Sequence, residues 1–128
     1  MISAYYIAEI KAKLLASWAV NSVAIVKERA MLESGYFRAR LTLKNGDFLE
    51  VVEFFTVLDN RCITESYRYQ WMDETQQTLR KRWDNVEHFP NLPNFPHHVH
   101  IGEESNVEPS CLINILELID LIEKDLHN

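Results

Sequence analysis

The chain has 128 residues, 47% of them hydrophobic and 25% charged, a balance that suits one globular domain over 1–128 with its own core. Three glycines, four prolines and no apolar run of ~18 residues exclude collagen-like, low-complexity and membrane-spanning readings. The net charge of −6 argues against a general nucleic-acid binder, but it is unevenly spread. Residues 1–82 carry 12 Lys+Arg against 10 Asp+Glu, a balance of +2, whereas residues 83–128 carry 1 against 9, a balance of −8. An RNA partner therefore stays open for the first two thirds of the chain, where basic residues alternate with aromatics.

The opening segment MISAYYIAEIKAK has no basic region ahead of an apolar run, so a cytoplasmic protein is expected. Ser3 is placed to cap a helix over roughly 4–19, with Ile7, Ile10, Leu14 and Trp18 on one face. From Val23 to about Leu79 the pattern changes to short β-branched and aromatic runs divided by turn signals. Strands are expected over Val23–Leu32, Tyr36–Lys44, Asp47–Val57, Cys62–Trp71 and Leu79–Trp83, with breaks at Ser34-Gly35, Asn45-Gly46 and Asp59-Asn60-Arg61. Asp84–Pro109 reads as an irregular arm, extended only over Pro96–Ile101. Leu112, Ile115, Leu116, Ile119, Ile122 and Leu126 then form an apolar stripe on an acidic helix over 110–126, packed on the sheet or on a partner, so that a homodimer is also open. The expected class is α+β: an antiparallel meander of about five strands with an N-terminal and a C-terminal helix. Cys62 and Cys111 form no C-x-x-C and read as small core residues.

Two constellations carry chemistry. Period-two alternation puts Phe37, Ala39, Leu41 and Leu43 on one face of the second strand and Arg38 and Arg40 on the other. In the fourth strand Arg68 stands opposite Tyr67, Tyr69 and Trp71. An arginine face binds phosphates and tyrosine rings stack on unpaired bases; the alternative is a solvated face whose arginines are neutralised across strands by Glu50, Glu53 and Glu65. The second constellation runs from Arg82-Trp83-Asp84-Asn85 through His88 to His97-His98-Val99-His100, where His98 and His100 project to one side and His97 to the other. An imidazole near a guanidinium can move a proton while the cation steadies charge on a phosphoryl oxygen, which are the two needs of RNA cleavage by its own 2′-hydroxyl. Arg82, His98 and His100 are the expected centre, assisted by Arg40, with no cofactor. Two alternatives are a metal site, completed by His88, Asp84 or Glu103, and a structural arm whose histidines hold loop carbonyls while Asp84-Asn85 forms an Asx turn.

The amino-terminal helix, Tyr67-x-Tyr69-x-Trp71, Arg82-Trp83-Asp84-Asn85 and Phe95-Pro96-His97-His98-x-His100 together resemble the TumE family, over most of the chain. The resemblance implies a toxin acting on RNA and neutralised by a cognate antitoxin protein, and it marks Arg82, Asp84, Asn85, His98 and His100 as motif positions. The chain departs from the family pattern at Val86-Glu87-His88, where a proline and a histidine pair often stand, and at Val99, where a basic residue often stands. The departures fit a weakened or inactive member, or one whose acidic terminal helix masks the basic face until RNA displaces it; the alternative from a different class is a non-enzymatic interaction module with structural or metal-binding histidines.

Overall fold

The computed structural model describes residues 1–127. Helix α1 spans Ile2–Ala16, and Ile7, Ile10 and Leu14 bury its inner stripe. Ser3 does not cap it. Met1 takes that position, while the Ser3 hydroxyl, inside the first turn, donates to the Met31 carbonyl and ties the helix to the first hairpin. The helix stops before Ser17, whose extended backbone carries Trp18 out to a half-exposed site against His127.

Seven strands follow in strict meander order: β1 (Val20–Ala30), β2 (Ser34–Leu43), β3 (Phe48–Leu58), β4 (Arg61–Met72), β5 (Leu79–Asp84), β6 (His98–Ile101) and β7 (Val107–Pro109). All neighbours are antiparallel. The count is seven rather than five because the arm is not wholly irregular. Its extended tract pairs with β5 and then folds back on itself at Gly102, whose φ of 78° suits a residue without a Cβ. Asp59 and Asn60, both left-handed, close a two-residue hairpin between the paired Leu58 and Arg61. Gly46, at φ 91°, turns β2 into β3. Gly35 is no turn residue. It lies within β2, where an added Cβ would come within 2.2 Å of the Phe55 ring.

One sheet face is the core. Phe37, Ala39, Leu41 and Leu43 of β2 meet Leu49, Val51 and Phe55 of β3, Tyr69 and Trp71 of β4, Trp83 of β5 and Val99 of β6. Each large side chain buried this way contributes about 1.5–3 kcal/mol. Helix α2 (Ile115–His127) covers the same face through Ile115, Leu118, Ile119 and Ile122. It starts later than Ser110 because Asn114 is the true cap. The Asn114 side chain accepts the Glu117 N–H at 2.9 Å, and Glu117 accepts the Asn114 N–H at 3.0 Å.

Glu53 departs from the expected pattern. It points into the core rather than toward an arginine, and accepts the Ile115 N–H at 3.0 Å and the hydroxyls of Tyr6 at 2.7 Å and Thr64 at 3.0 Å. Burial pushes its carboxyl above the ordinary value, and these hydrogen bonds offset only part of that cost. Glu65 bonds Thr56 rather than an arginine. Cys62 is half-buried and packs against the core, whereas Cys111 is exposed and is not a core residue.

Candidate functional site

Because each strand alternates its side chains, Arg38, Arg40, Arg68 and Arg82 emerge on the face away from the core, and the register aligns them into two rows. One row reads Arg40, Glu50, Gln70, Arg82, His100 from β2 to β6; its neighbour reads Arg38, Val52, Arg68, Asp84, His98. The last positions of both rows form the wall of a pocket of about 410 Å³, together with Val86, His88, Phe89 and Glu104. Imidazoles from the arm and guanidiniums from the sheet thus meet around one cavity. An apolar groove of about 260 Å³ between α1 and β1, lined by Lys11, Leu14, Leu15, Val23 and Ile25, offers no pair for proton transfer.

Asp84 is the hub. It is 3% exposed and stands directly across from His98 on β6, whose Nε2 is 2.9 Å from its Oδ1. Its Oδ2 lies 3.3 Å from Arg82 Nε and 3.7 Å from His100 Nε2. Oδ1 also accepts the Val86 N–H at 3.1 Å, closing an Asx turn that bends the chain out of β5. Asn85 extends the β4–β5 ladder with its side chain, accepting the Tyr67 N–H and donating to the Glu65 carbonyl.

Both imidazoles are oriented from behind. His98 Nδ1 is 2.9 Å from the Pro96 carbonyl and His100 Nδ1 is 2.9 Å from the Glu104 carbonyl. A carbonyl only accepts, so each Nδ1 carries hydrogen and each Nε2 faces Asp84. The structural alternative therefore describes the rear edges of both rings and, through Asp84, the front edge of His98, and leaves the front edge of His100 toward the pocket. The two rings are not equivalent. His98 has both nitrogens engaged, whereas His100 Nε2 is beyond hydrogen-bond distance of Asp84 and keeps its lone pair toward the pocket. Phe89 folds its ring edge over both, with centroids 4.9 and 5.9 Å away.

The cations differ as well. Arg82 is gripped by Asp84, Gln70 and a bidentate contact with Glu104 from the β6–β7 turn. Among the described residues Arg68 pairs with no carboxylate; it donates only to Gln70, at 2.6 Å. Arg38 and Arg40 share one carboxylate, Glu50, in an adjoining cleft. Burial alone would raise the Glu50 pKa, and the two arginines outweigh it to leave the group below its ordinary value. Arg40 is three strand steps from Arg82, about 14 Å, so it extends the cationic face but does not reach the pocket.

Two expectations change, and one holds. Tyr67 and Tyr69 are 4% and 0% exposed, on the core face with Trp83, and offer no ring to an unpaired base. The period-two pattern had already put them opposite Arg68; only their aromatic character suggested stacking. His97 projects away from His98 and His100, as alternation leads one to expect, and joins that interior layer, stacked on Tyr67 with Nδ1 2.9 Å from its hydroxyl, and burial lowers its pKa. Finally, α2 lies against the core face, held by Lys13–Asp120 and Lys81–Asp125 contacts, so the acidic helix does not mask the arginines. Glu104 does this for Arg82, and its position beyond Gly102 in a hairpin turn was the overlooked signal.

A family model described as Toxin TumE matches residues 10–126, nearly the whole chain. Comparison with curated proteins and with solved structures returned no match.

Proposed function

The chain belongs to the TumE toxin family, and on that premise we propose that it is the toxin of a toxin–antitoxin pair and cleaves RNA in the pocket walled by Arg68, Arg82, Asp84, His88, His98 and His100. The observation that carries this reading is the Nε2 of His100, whose ring is held at Nδ1 by the Glu104 carbonyl, facing a cavity with Arg68, a guanidinium that has no carboxylate partner among the described residues. In the metal-independent reaction, His100 Nε2 takes the proton of a ribose 2′-hydroxyl and Asp84 steadies the resulting imidazolium. The 2′-oxygen attacks the adjacent phosphorus, and Arg68 and Arg82 hold the non-bridging oxygens as charge builds on them. The bond to the 5′-oxygen breaks, and that oxygen takes a proton from His88, leaving a 2′,3′-cyclic phosphate and a 5′-hydroxyl. His98, tied at both nitrogens, acts as a positioning residue for Asp84.

Arg38 and Arg40 continue the cationic face two strands beyond Arg68 and would track the RNA backbone, with phosphate contacts that set register and not sequence. The neutralising partner is a cognate antitoxin protein. The test is growth on induction together with cleavage of single-stranded RNA by purified protein in the presence of chelator. Growth arrest and cyclic-phosphate ends, both lost in His100→Ala with the circular dichroism unchanged, are the expected result. A wild-type chain that spares growth and leaves RNA intact overturns the reading, and would favour the interaction-module alternative.

A further inference from the structure

We infer that Asp84, His98 and His100 also form a chelating site for a divalent first-row transition ion of the zinc type. This inference does not depend on whether the pocket cleaves RNA. The three side chains are buried, and their ligating atoms lie within 4.8 Å of one another. A tetrahedral ion with bonds of about 2.0–2.1 Å sets its ligands roughly 3.3 Å apart. Asp84 Oδ1 is 2.9 Å from His98 Nε2 and its Oδ2 is 3.7 Å from His100 Nε2, so the carboxylate lies between the two imidazoles, and drawing three ligand atoms now within 4.8 Å to that spacing completes the site.

The rear of the site has the form that metal-binding histidines require. Each imidazole gives its Nδ1–H to a backbone carbonyl, of Pro96 or Glu104, which fixes the ring with Nε2 presented forward. The donors also stand on paired strands. His98 and His100 are two apart on β6, and Asp84 is directly opposite His98 on β5. Two imidazole nitrogens and one carboxylate suit zinc and its first-row neighbours, while magnesium and calcium favour all-oxygen sets. Two guanidiniums in the pocket wall oppose a cation: Arg82, beside Asp84, is offset by its bidentate contact with Glu104, and Arg68 donates to Gln70. The remaining coordination positions open to the pocket, where His88 lines the wall. An ion held there occupies His100 Nε2, so metal binding and metal-free proton transfer exclude one another.

The experiment is calorimetric titration of the full chain, stripped with chelator, with Zn²⁺ alone, paralleled by visible absorption on adding Co²⁺. One ion per chain is expected, with a tetrahedral cobalt spectrum and a raised melting temperature. His100→Gln and Asp84→Asn should each weaken binding by at least about 10- to 100-fold. His97→Gln, which alters a neighbouring histidine outside the triad, should bind as wild type. Circular dichroism verifies each fold; should Asp84→Asn unfold, His100→Gln, nearer the pocket, decides. No zinc binding by the wild type, or equal binding by His100→Gln, overturns the site. RNA is absent throughout, so loss of the nuclease reading would leave this result intact.

Discussion

Asp84 and His98 face each other across the β5–β6 ladder, nearly sealed from solvent, with 2.9 Å between carboxylate and imidazole. Removing one partner strands the other in the interior, so His98→Ala should destabilise the protein by about 3–5 kcal/mol, measured by urea denaturation. His100→Ala, whose Nε2 is not bonded to Asp84, should cost clearly less while abolishing cleavage. If the two variants lose equal stability, the division between a positioning and a reacting imidazole fails.

Glu104 occupies Arg82 as a phosphate group would, with two carboxylate oxygens on one guanidinium. Glu104→Gln should therefore strengthen binding of a single-stranded oligonucleotide several-fold, and steepen the slope of log affinity against log salt by about 0.7, one additional phosphate contact. Fluorescence anisotropy across a salt series reads both. An unchanged slope would mean that Arg82 does not reach the phosphates.

Arg68 and Tyr69 are neighbours on β4 with opposite fates. Arg68→Ala should weaken RNA binding and lower the salt slope by about 0.7, with little effect on folding. Tyr69→Phe removes a hydrogen bond to the Ile113 carbonyl, costing roughly 1 kcal/mol of stability and leaving RNA affinity alone. Loss of affinity in Tyr69→Phe would show that the inward-facing ring reaches nucleic acid after all.

Glu53 governs a pH dependence of stability. Its folded pKa is raised above the ordinary 4.5, chiefly by burial. The folded state therefore binds its proton more tightly than the unfolded state does, and that contribution is complete below pH 4.5 and lost as pH rises through the folded value. In Glu53→Gln this part of the profile should vanish, with stability at neutral pH equal to or above wild type. The amide oxygen can accept the Ile115 N–H while its nitrogen donates to the hydroxyls of Tyr6 and Thr64. Urea denaturation from about pH 4 to about pH 8 compares the two, and a less stable variant at neutral pH would refute the assignment.

Elements whose formation is local are legible in the sequence. The stripe Ile7–Ile10–Leu14, the alternation Phe37–Ala39–Leu41–Leu43 and the Asn45-Gly46 and Asp59-Asn60 turns all encode their conformation within a few residues. What depends on distant partners is not. His98–Ile101 becomes a strand only because β5 offers it a free edge, and although alternation with Leu49, Val51 and Phe55 already turns Glu53 inward, the N–H of Ile115 that it accepts comes from a distant helix. The gathering of Arg82, His98 and His100 around a cavity followed from spacing and alternation, whereas Glu104 and Phe89 enter the same wall through loop paths that no periodicity announces.

Strand β5 holds Arg82 and Asp84 toward the pocket and Trp83 toward the core. Reactive and structural roles are thus interleaved letter by letter along six residues. A slip of a single position in its pairing would bring two ionic groups into the hydrocarbon interior and expose an indole at the reaction surface. The pocket's side chains and the fidelity of folding are therefore tied to one register: any insertion tolerated here must come in pairs or be absorbed by a bulge.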